Sequence, residues 1–378
     1  MAAAHRTAAP RARERRTASE DRRELPPRAC GIRAAAFCCA GRMTPDLPIE
    51  IPSPLPGGAP LRLRHRLPHV WTQRAAADRR PFGLYWSDRD GLGRLFPEPG
   101  ADELTRFYDT TSYAAYMGER AGGGAGASPA PTARPTPTTR VLRRIAAAFE
   151  RSEPLTPARV HRLVDGKPAR VCDLGCGAGE LLLGLRALGH DVLGVDPNPT
   201  AIDTGRRTGL RVLPGTAEDL PADCPRAAFD VVVMSHSLEH CRDPLRALRH
   251  AHSLVRPGGR LVCDVPNHAS AGFACSGPSW FHTDAGRHLW FFTPQSLRAM
   301  AAATGWTVDG FEFDGFARQF DWLAKEQEVW DALYGDGAGG GSPPPRPSVG
   351  MQVRLLGKAL LGGAAVRHDA VRLLASRR

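Results

Sequence analysis

Three glycines at alternating positions interrupt an apolar strand in the run Val171-Cys172-Asp173-Leu174-Gly175-Cys176-Gly177-Ala178-Gly179-Glu180. Such a turn lets the main chain press against a nucleotide-like ligand. Glycine tolerates φ > 0 and has no side chain to hold the ligand away, and Leu181-Leu182-Leu183 opens a helix whose N-terminal amides face the same ligand. A dinucleotide fingerprint, G-x-G-x-x-G, needs its third glycine at position 180, where this chain has Glu180. A nicotinamide dehydrogenase is therefore a poor reading. The run Asp191-Val192-Leu193-Gly194-Val195-Asp196 is a short buried-strand pattern ending in a carboxylate 21 residues beyond Gly175. At the end of a second strand Asp196 can accept both ribose hydroxyls; the plainer alternative is a solvated turn residue before Pro197.

The elements that must position these groups follow in order. Leu210 to Leu213 reads as a third strand, followed by Gly215-Thr216-Ala217-Glu218-Asp219-Leu220-Pro221. Phe229 to Met234 is an apolar run of strand length, Leu245 to Val255 has a helical period ending at the Pro257-Gly258-Gly259 turn, and Leu261 to Val265 supplies a fifth strand. Strands alternating with helices at this spacing predict a parallel sheet covered on both faces.

Asp173-x-Gly175-x-Gly177-x-Gly179 resembles the first motif of class I S-adenosylmethionine (SAM) dependent methyltransferases, and the motifs behind it extend the resemblance over roughly residues 140 to 315. It implies a Rossmann-like doubly wound α/β sheet of seven strands, mostly parallel with an antiparallel last strand. That strand is Ala370 to Ala375, paired after a crossover from a strand near Thr307 to Phe313. SAM is the implied cofactor, held by Asp173, Gly175, Cys176, Gly177, Gly179, Asp196, Pro197, Ser235 and His236. Adenine contact is assigned to Ala217 and Glu218, although the family more often has Asp where this chain has Thr216.

Two further segments resemble a bacterial subgroup found with ubiquinone-type, glycan, lipid and natural-product pathways. One runs from Leu95-Phe96-Pro97 through Phe107-Tyr108 to Tyr113 and Tyr116, and implies a lid over the active site; packing is the plainer use of such aromatics. The other is Asn267, then Trp280 to Asp284, Arg287-His288-Leu289, and Phe292-Thr293-Pro294, in which Thr293 and Pro294 form an N-cap and first-turn pair. A loop beyond the carboxyl ends of the strands is where open α/β sheets bind ligands, so the acceptor pocket is expected there.

Methyl transfer is an in-line displacement at a sulfonium carbon, and for a hydroxyl or amine acceptor it needs removal of a proton. His240, His288 and His282 are the base candidates; Glu239 and His240 can equally brace the helix that follows. Ubiquinone-type O-methyltransferases and certain RNA-end methyltransferases carry Glu-x-x-Glu-His here and can hold a divalent cation. This chain has His236-x-x-Glu239-His240, and loss of a hard oxygen disfavours Mg²⁺, so no metal is expected.

Composition narrows the rest. The net charge is +11, yet residues 1–42 alone contribute +6 and the remaining +5 is ordinary, so nucleic-acid binding, which needs a basic face on the folded part, is poorly motivated and no nucleic-acid partner is expected. The nine cysteines show no metal spacing and read as reduced thiols of a cytoplasmic protein. No 18-residue apolar run exists, so no membrane-spanning helix is expected, although Val349 to Val366 can lie on a membrane surface or pack on the domain. The expected organisation is a disordered basic tail (1–60), an N-terminal lid segment (61–120), a flexible linker (121–139), the SAM-binding domain (140–316), a helical insertion (317–368) and the last strand with the C-terminus (369–378). The expected activity is methyl transfer from SAM to a small-molecule or glycan- or lipid-pathway acceptor, foremost at oxygen. The alternatives are transfer to carbon or nitrogen, and a SAM-binding partner protein without catalysis. Oligomeric state is not legible.

Overall fold

The computed structural model describes residues 47–70, 80–107, 135–335 and 343–378. Among these residues twelve strands build two sheets: β1 Glu50–Ile51, β2 Leu61–Leu67, β3 Phe82–Ser87, β4 Leu92–Phe96, β5 Arg170–Leu174, β6 Asp191–Asp196, β7 Val212–Pro214, β8 Phe229–Ser235, β9 Val255–Pro266, β10 Trp290–Phe291, β11 Thr307–Asp314 and β12 Ala370–Ser376. The larger sheet has the order β11-β12-β9-β8-β5-β6-β7. Its β5, β6, β7, β8 and β9 pair in parallel, while β12 runs antiparallel to both β9 and β11. This is the expected Rossmann-like sheet with its reversed last strand.

Successive residues of the central strands face opposite ways, so each strand feeds two cores. Val171, Val231, Val233 and Val262 pack with Leu155, Val160, Leu181 and Leu185 on one face. Cys172, Val232, Met234, Leu261 and Cys263 pack with Leu248, Ala251, Leu297 and Met300 on the other. The thiols of Cys172 and Cys263 thus serve as small apolar groups.

The helices are α1 Ala101–Phe107, α2 Pro137–Ala148, α3 Pro157–Leu163, α4 Glu180–Ala187, α5 Pro199–Arg207, α6 Pro244–Leu254, α7 Ala271–Ser276, α8 Pro294–Ala303, α9 Leu323–Tyr334, α10 Val349–Leu361 and α11 Ala364–Arg367. Five of them, α2, α3, α5, α6 and α8, begin with proline after a Thr, Asn or Asp cap whose side chain accepts a first-turn amide. At α8 the cap is reciprocal: Thr293 Oγ1 accepts from Ser296 N and Ser296 Oγ accepts from Thr293 N.

Three expected boundaries shift. The tail does not run to residue 60, because Leu47, Ile51 and Leu55 are buried, Ile51 pairs with Leu61, and the hydroxyl of Tyr85 donates to the carbonyl of Pro48 at 2.7 Å. The linker does not reach residue 139, because Thr136 and Pro137 start α2. The Pro257-Gly258-Gly259 segment lies inside β9, which starts at Val255 directly after α6.

Strands β2, β3 and β4, from the described part of the expected lid segment, join β1 and β10 in a second, antiparallel sheet of order β1-β2-β3-β4-β10. Its edge strand β10 comes from the loop beyond β9, so Trp290 pairs with Arg94 and Phe291 with Gly93. Tyr108, Tyr113 and Tyr116 lie outside the described residues, as do residues 1–46. Between β11 and β12 the described chain is helical, and α10 buries Met351, Leu355, Leu356 and Ala359, the last three in one cluster with Leu142 of α2 and Phe316. Among the described residues no helix is long and apolar enough to cross a membrane.

Candidate functional site

At the carboxyl end of β5 the chain turns through Gly175, Gly177 and Gly179, with φ of +85°, +53° and +81°. Only glycine takes such values at little cost, and three in alternation form a shallow cradle of main chain. A Cβ on Gly177 would meet nothing within 4 Å, so that side of the turn is open. A Cβ on Gly175 would stand 2.6 Å from the Cβ of Ser237, which fixes the turn against the segment after β8.

Asp196 ends β6 and binds this turn directly. Its Oδ2 accepts the amide of Gly177 at 2.8 Å and its Oδ1 the amide of Asn198 at 2.9 Å. Burial raises the pKa of Asp196, and these two amides oppose that shift. Each oxygen keeps lone-pair capacity beyond the one bond it makes. Asp173 is fully buried below the turn, and its Oδ1 has no hydrogen-bond partner. Burial first, and the charge of Asp196 second, push its carboxyl up to about 7. Cys176 is half-buried in the turn, and its Sγ is 2.5 Å from where a Cβ on Gly194 would stand.

The other expected cofactor residues divide. Ser235 ends β8 opposite Asp264, and His236 follows with φ of +50°, its amide donating to the carbonyl of Asp264 at 2.8 Å. Ala217 is buried, and its carbonyl lies 3.0 Å from His250 Nδ1. Glu218 turns its carboxylate to the amides of Asp243 at 2.6 Å and Arg242 at 3.1 Å, at the start of α6. Pro197 links Asp196 to the cap of α5.

Around Glu239 the fold gathers the histidines. Glu239 is 1% exposed, and neither of its oxygens has a hydrogen bond of proper geometry. Oε1 lies 3.4 Å from His236 Nδ1 and 3.9 Å from His288 Nε2. The His240 and His288 rings meet edge to face with centroids 4.7 Å apart. His288 arrives because Leu289 N donates to the carbonyl of Glu239 at 2.8 Å, tying the loop before β10 to the turn after β8. Burial works to neutralise Glu239, but His236, His240 and His288 outweigh it and hold its carboxyl down to about 2. Burial, then the neighbouring His288, lower His240 to about 4; burial also lowers His288. For His236 the Glu239 carboxylate outweighs burial and raises the pKa.

His282 stands apart from its two companions. Its Nε2 lies 3.3 Å from Oδ2 of Asp369, which is fully buried and accepts from Arg318 Nη2 at 2.6 Å. Burial lowers the pKa of His282, opposed by Asp369. Asp369 and Arg318 carried no signal in the sequence, since Arg318 lies at the start of the helical insertion and Asp369 just past its end. The Arg287 guanidinium makes two bonds to the Asp284 carboxylate, at 2.8 and 2.9 Å, which explains the Asp and Arg of that loop as a buried brace.

The sequence led to no metal, yet ligand atoms of Glu239, His240 and His288 all lie within 4.8 Å of one another. The third member, 48 residues from His240, is brought in only by the return of the loop, which no local motif could reveal.

A family model for a methyltransferase domain matches residues 147–309. A ubiquinone biosynthesis O-methyltransferase of Azorhizobium caulinodans is 35% identical over 184 residues, covering 45% of this chain and 72% of that protein. The chain belongs to the class I SAM-dependent methyltransferases. The namesake enzyme of Cereibacter sphaeroides is 36% identical over 148 residues, and this chain spans 59% of its length. Solved structures similar to it include a Burkholderia thailandensis 1,6-didemethyltoxoflavin N1-methyltransferase with bound 1,6-didemethyltoxoflavin and S-adenosylhomocysteine (17% identity, 78% of this chain and 95% of that one, TM-score 0.41). Another is a SAM-dependent methyltransferase of Archaeoglobus fulgidus (20% identity, 58% and 92%, TM-score 0.41). The site fits SAM on its own geometry: the turn is open above Gly177, and the buried Asp173 has an oxygen without a partner beneath it.

Proposed function

We propose that the protein transfers the methyl group of SAM to an oxygen of a small-molecule or glycan- or lipid-pathway acceptor, with His282 taking the acceptor's proton. The observation that carries this reading is the His282–Asp369 pair, 3.3 Å apart at the carboxyl end of the sheet and anchored by Arg318. A buried carboxylate beside an imidazole orients the ring and stabilises the cation formed when the other nitrogen accepts a proton. The choice of oxygen is supported by the activity named for the ubiquinone relatives.

When bound, SAM supplies the electrophilic methyl carbon. The chain's residues hold and align: Asp173, Gly175, Cys176, Gly177, Gly179, Asp196 and Pro197 are assigned to the cofactor, with the main chain of Ala217 and Glu218 at adenine and Ser235 and His236 at the inner edge. His282 would take the proton of the acceptor hydroxyl as its oxygen meets the methyl carbon that bound SAM would supply, the sulfur keeping the bonding pair as leaving group. Methyl-labelled SAM incubated with cell extract and the purified protein tests this. Label should appear on oxygen of a small molecule, and His282→Ala should lower turnover about 10²- to 10⁴-fold while SAM affinity is kept. Label on nitrogen or carbon, or tight SAM binding without any transfer, would overturn it.

A further inference from the structure

We propose that α2 and α10 together form a face that docks on a lipid bilayer carrying anionic headgroups. Seven large apolar side chains are exposed among the described residues, and five of them stand on these two helices or at their ends. Val141, Ile145 and Phe149 follow at intervals of four and share one side of α2, while Val353 and Leu361 lie on the outer side of α10. The other two, Ile49 before β1 and Leu188 at the end of α4, stand singly. Scattered apolar groups on a surface are ordinary, whereas a concentration of them on two neighbouring helices marks a contact surface.

The helices are packed against each other. Leu142 of α2 shares a buried cluster with Leu355, Leu356 and Ala359 of α10, and Thr139 Oγ1 donates to Gln352 Oε1 at 2.9 Å. Their inner sides are thus spent on one core, and their outer sides face away from the chain. Charge decides what meets those outer sides. Neither Pro137–Phe149 nor Val349–Leu361 contains an Asp or a Glu, yet they carry Arg140, Arg143, Arg144, Arg354 and Lys358, all exposed. Of these five only Arg143 has an ion-pair partner among the described residues, Asp321 at 2.9 Å.

A second copy of the chain would set cation against cation here. A protein partner is gripped by a desolvated centre of packed anchors, whereas these apolar groups form stripes flanked by long cationic side chains. That pattern suits a bilayer surface: the apolar groups enter the acyl boundary, and Arg and Lys lay their stems along it with their charges at the phosphates. α10 also backs onto the loop that carries His282. Ser276 Oγ of α7 lies 3.4 Å from Met351 Sδ, and α11, next in the chain, leads to Asp369, the partner of His282. All of α10 and most of α2 lie outside residues 147–309, so the face falls almost wholly beyond the shared domain. The inference is independent of which atom is methylated.

Co-sedimentation of the full chain with vesicles tests this without SAM or acceptor. The probes are vesicles of phosphatidylcholine alone, and of phosphatidylcholine with phosphatidylglycerol in equal parts. We expect binding to the anionic vesicles about tenfold tighter or more, weakening in high salt. Arg354→Gln with Lys358→Gln should loosen it about tenfold. Phe149→Ser with Leu361→Ser should loosen it by about as much, because the apolar contact is lost. Leu188→Ser, at an exposed apolar position outside the face, should change nothing. Circular dichroism and SAM binding confirm that each variant is folded. Equal binding to both kinds of vesicle, or binding to neither, would overturn the proposal. Binding that survives both double substitutions would belong to residues 1–42, whose net charge is +6, and would overturn it too. So would a dimer, seen by sedimentation velocity without vesicles, that Phe149→Ser with Leu361→Ser dissolves. Failure here leaves the methyl-transfer assay untouched, and failure there leaves the vesicle binding.

Discussion

The carboxylate of Asp196 accepts the amide of Gly177 at 2.8 Å, joining the end of β6 to the glycine turn 19 residues upstream. Its other oxygen holds the amide of Asn198 at the cap of α5. One side chain therefore ties the glycine turn to the cap of α5. Asp196→Ala removes the acceptor of two amides and is expected to cost about 1–3 kcal/mol of stability. The larger effect falls on SAM, whose affinity should drop at least tenfold by calorimetry. Unchanged affinity would separate Asp196 from the cofactor.

Two glycines in the same turn should fail in different ways. Gly175→Ala places a methyl 2.6 Å from Ser237 Cβ at φ of +85°, so it should destabilise the fold as well as abolish SAM binding. Gly177→Ala meets open space at φ of +53°, where only the left-handed strain of about 1–2 kcal/mol applies. It should stay folded in urea titrations and yet lose SAM, because the new methyl enters the cradle.

Asp173 gives the site a pH signature. Its pKa is raised to about 7 by burial and by Asp196, so between the ordinary carboxylate range and about 7 the folded state holds a proton that the unfolded chain releases. The unliganded protein should therefore lose stability as pH rises through that window, by about 4 kcal/mol at most. Asp173→Asn should flatten this slope in denaturation measured at pH 5 and pH 8. A cationic ligand placed over the carboxylate favours its charged form. SAM should then bind with proton release near pH 6.5, read from calorimetry in buffers of different ionisation enthalpy.

The glycine turn and the carboxylate that ends β6 were readable because their signals are local. Gly175, Gly177 and Gly179 are spaced by the turn they make, Asp196 ends an apolar run, and Thr293-Pro294 announces α8. The histidine cluster and the second sheet depend on returns of the chain. β4 finds its partner in Trp290 and Phe291, about 200 residues on, and two short strands with no turn between them leave no trace in periodicity. His288 reaches Glu239, and Asp369 reaches His282, only after such returns. The tail boundary near residue 60 failed for a related reason. Leu47, Ile51 and Leu55 stand among Pro48, Pro52 and Pro54, which read as loop, yet all three are buried and Ile51 pairs with Leu61 of β2.

The last strand supplies the final prediction. Arg372, 2% exposed, bonds Asp264 Oδ2 on β9 at 3.0 Å and Glu312 Oε2 on β11 at 2.7 Å, so one guanidinium ties β12 to both neighbours. Arg372→Ala leaves Asp264 charged and buried without its partner, and should cost about 3–5 kcal/mol. Replacing the pair together, as Arg372→Met with Asp264→Leu, removes the desolvated charges and should recover much of that loss. Urea unfolding of the single and double variants measures the coupling. Additive losses would mean that the three charges are solvated in solution and that the strand is held by Val371, Leu373 and Ala375 alone, which are all buried in the apolar core.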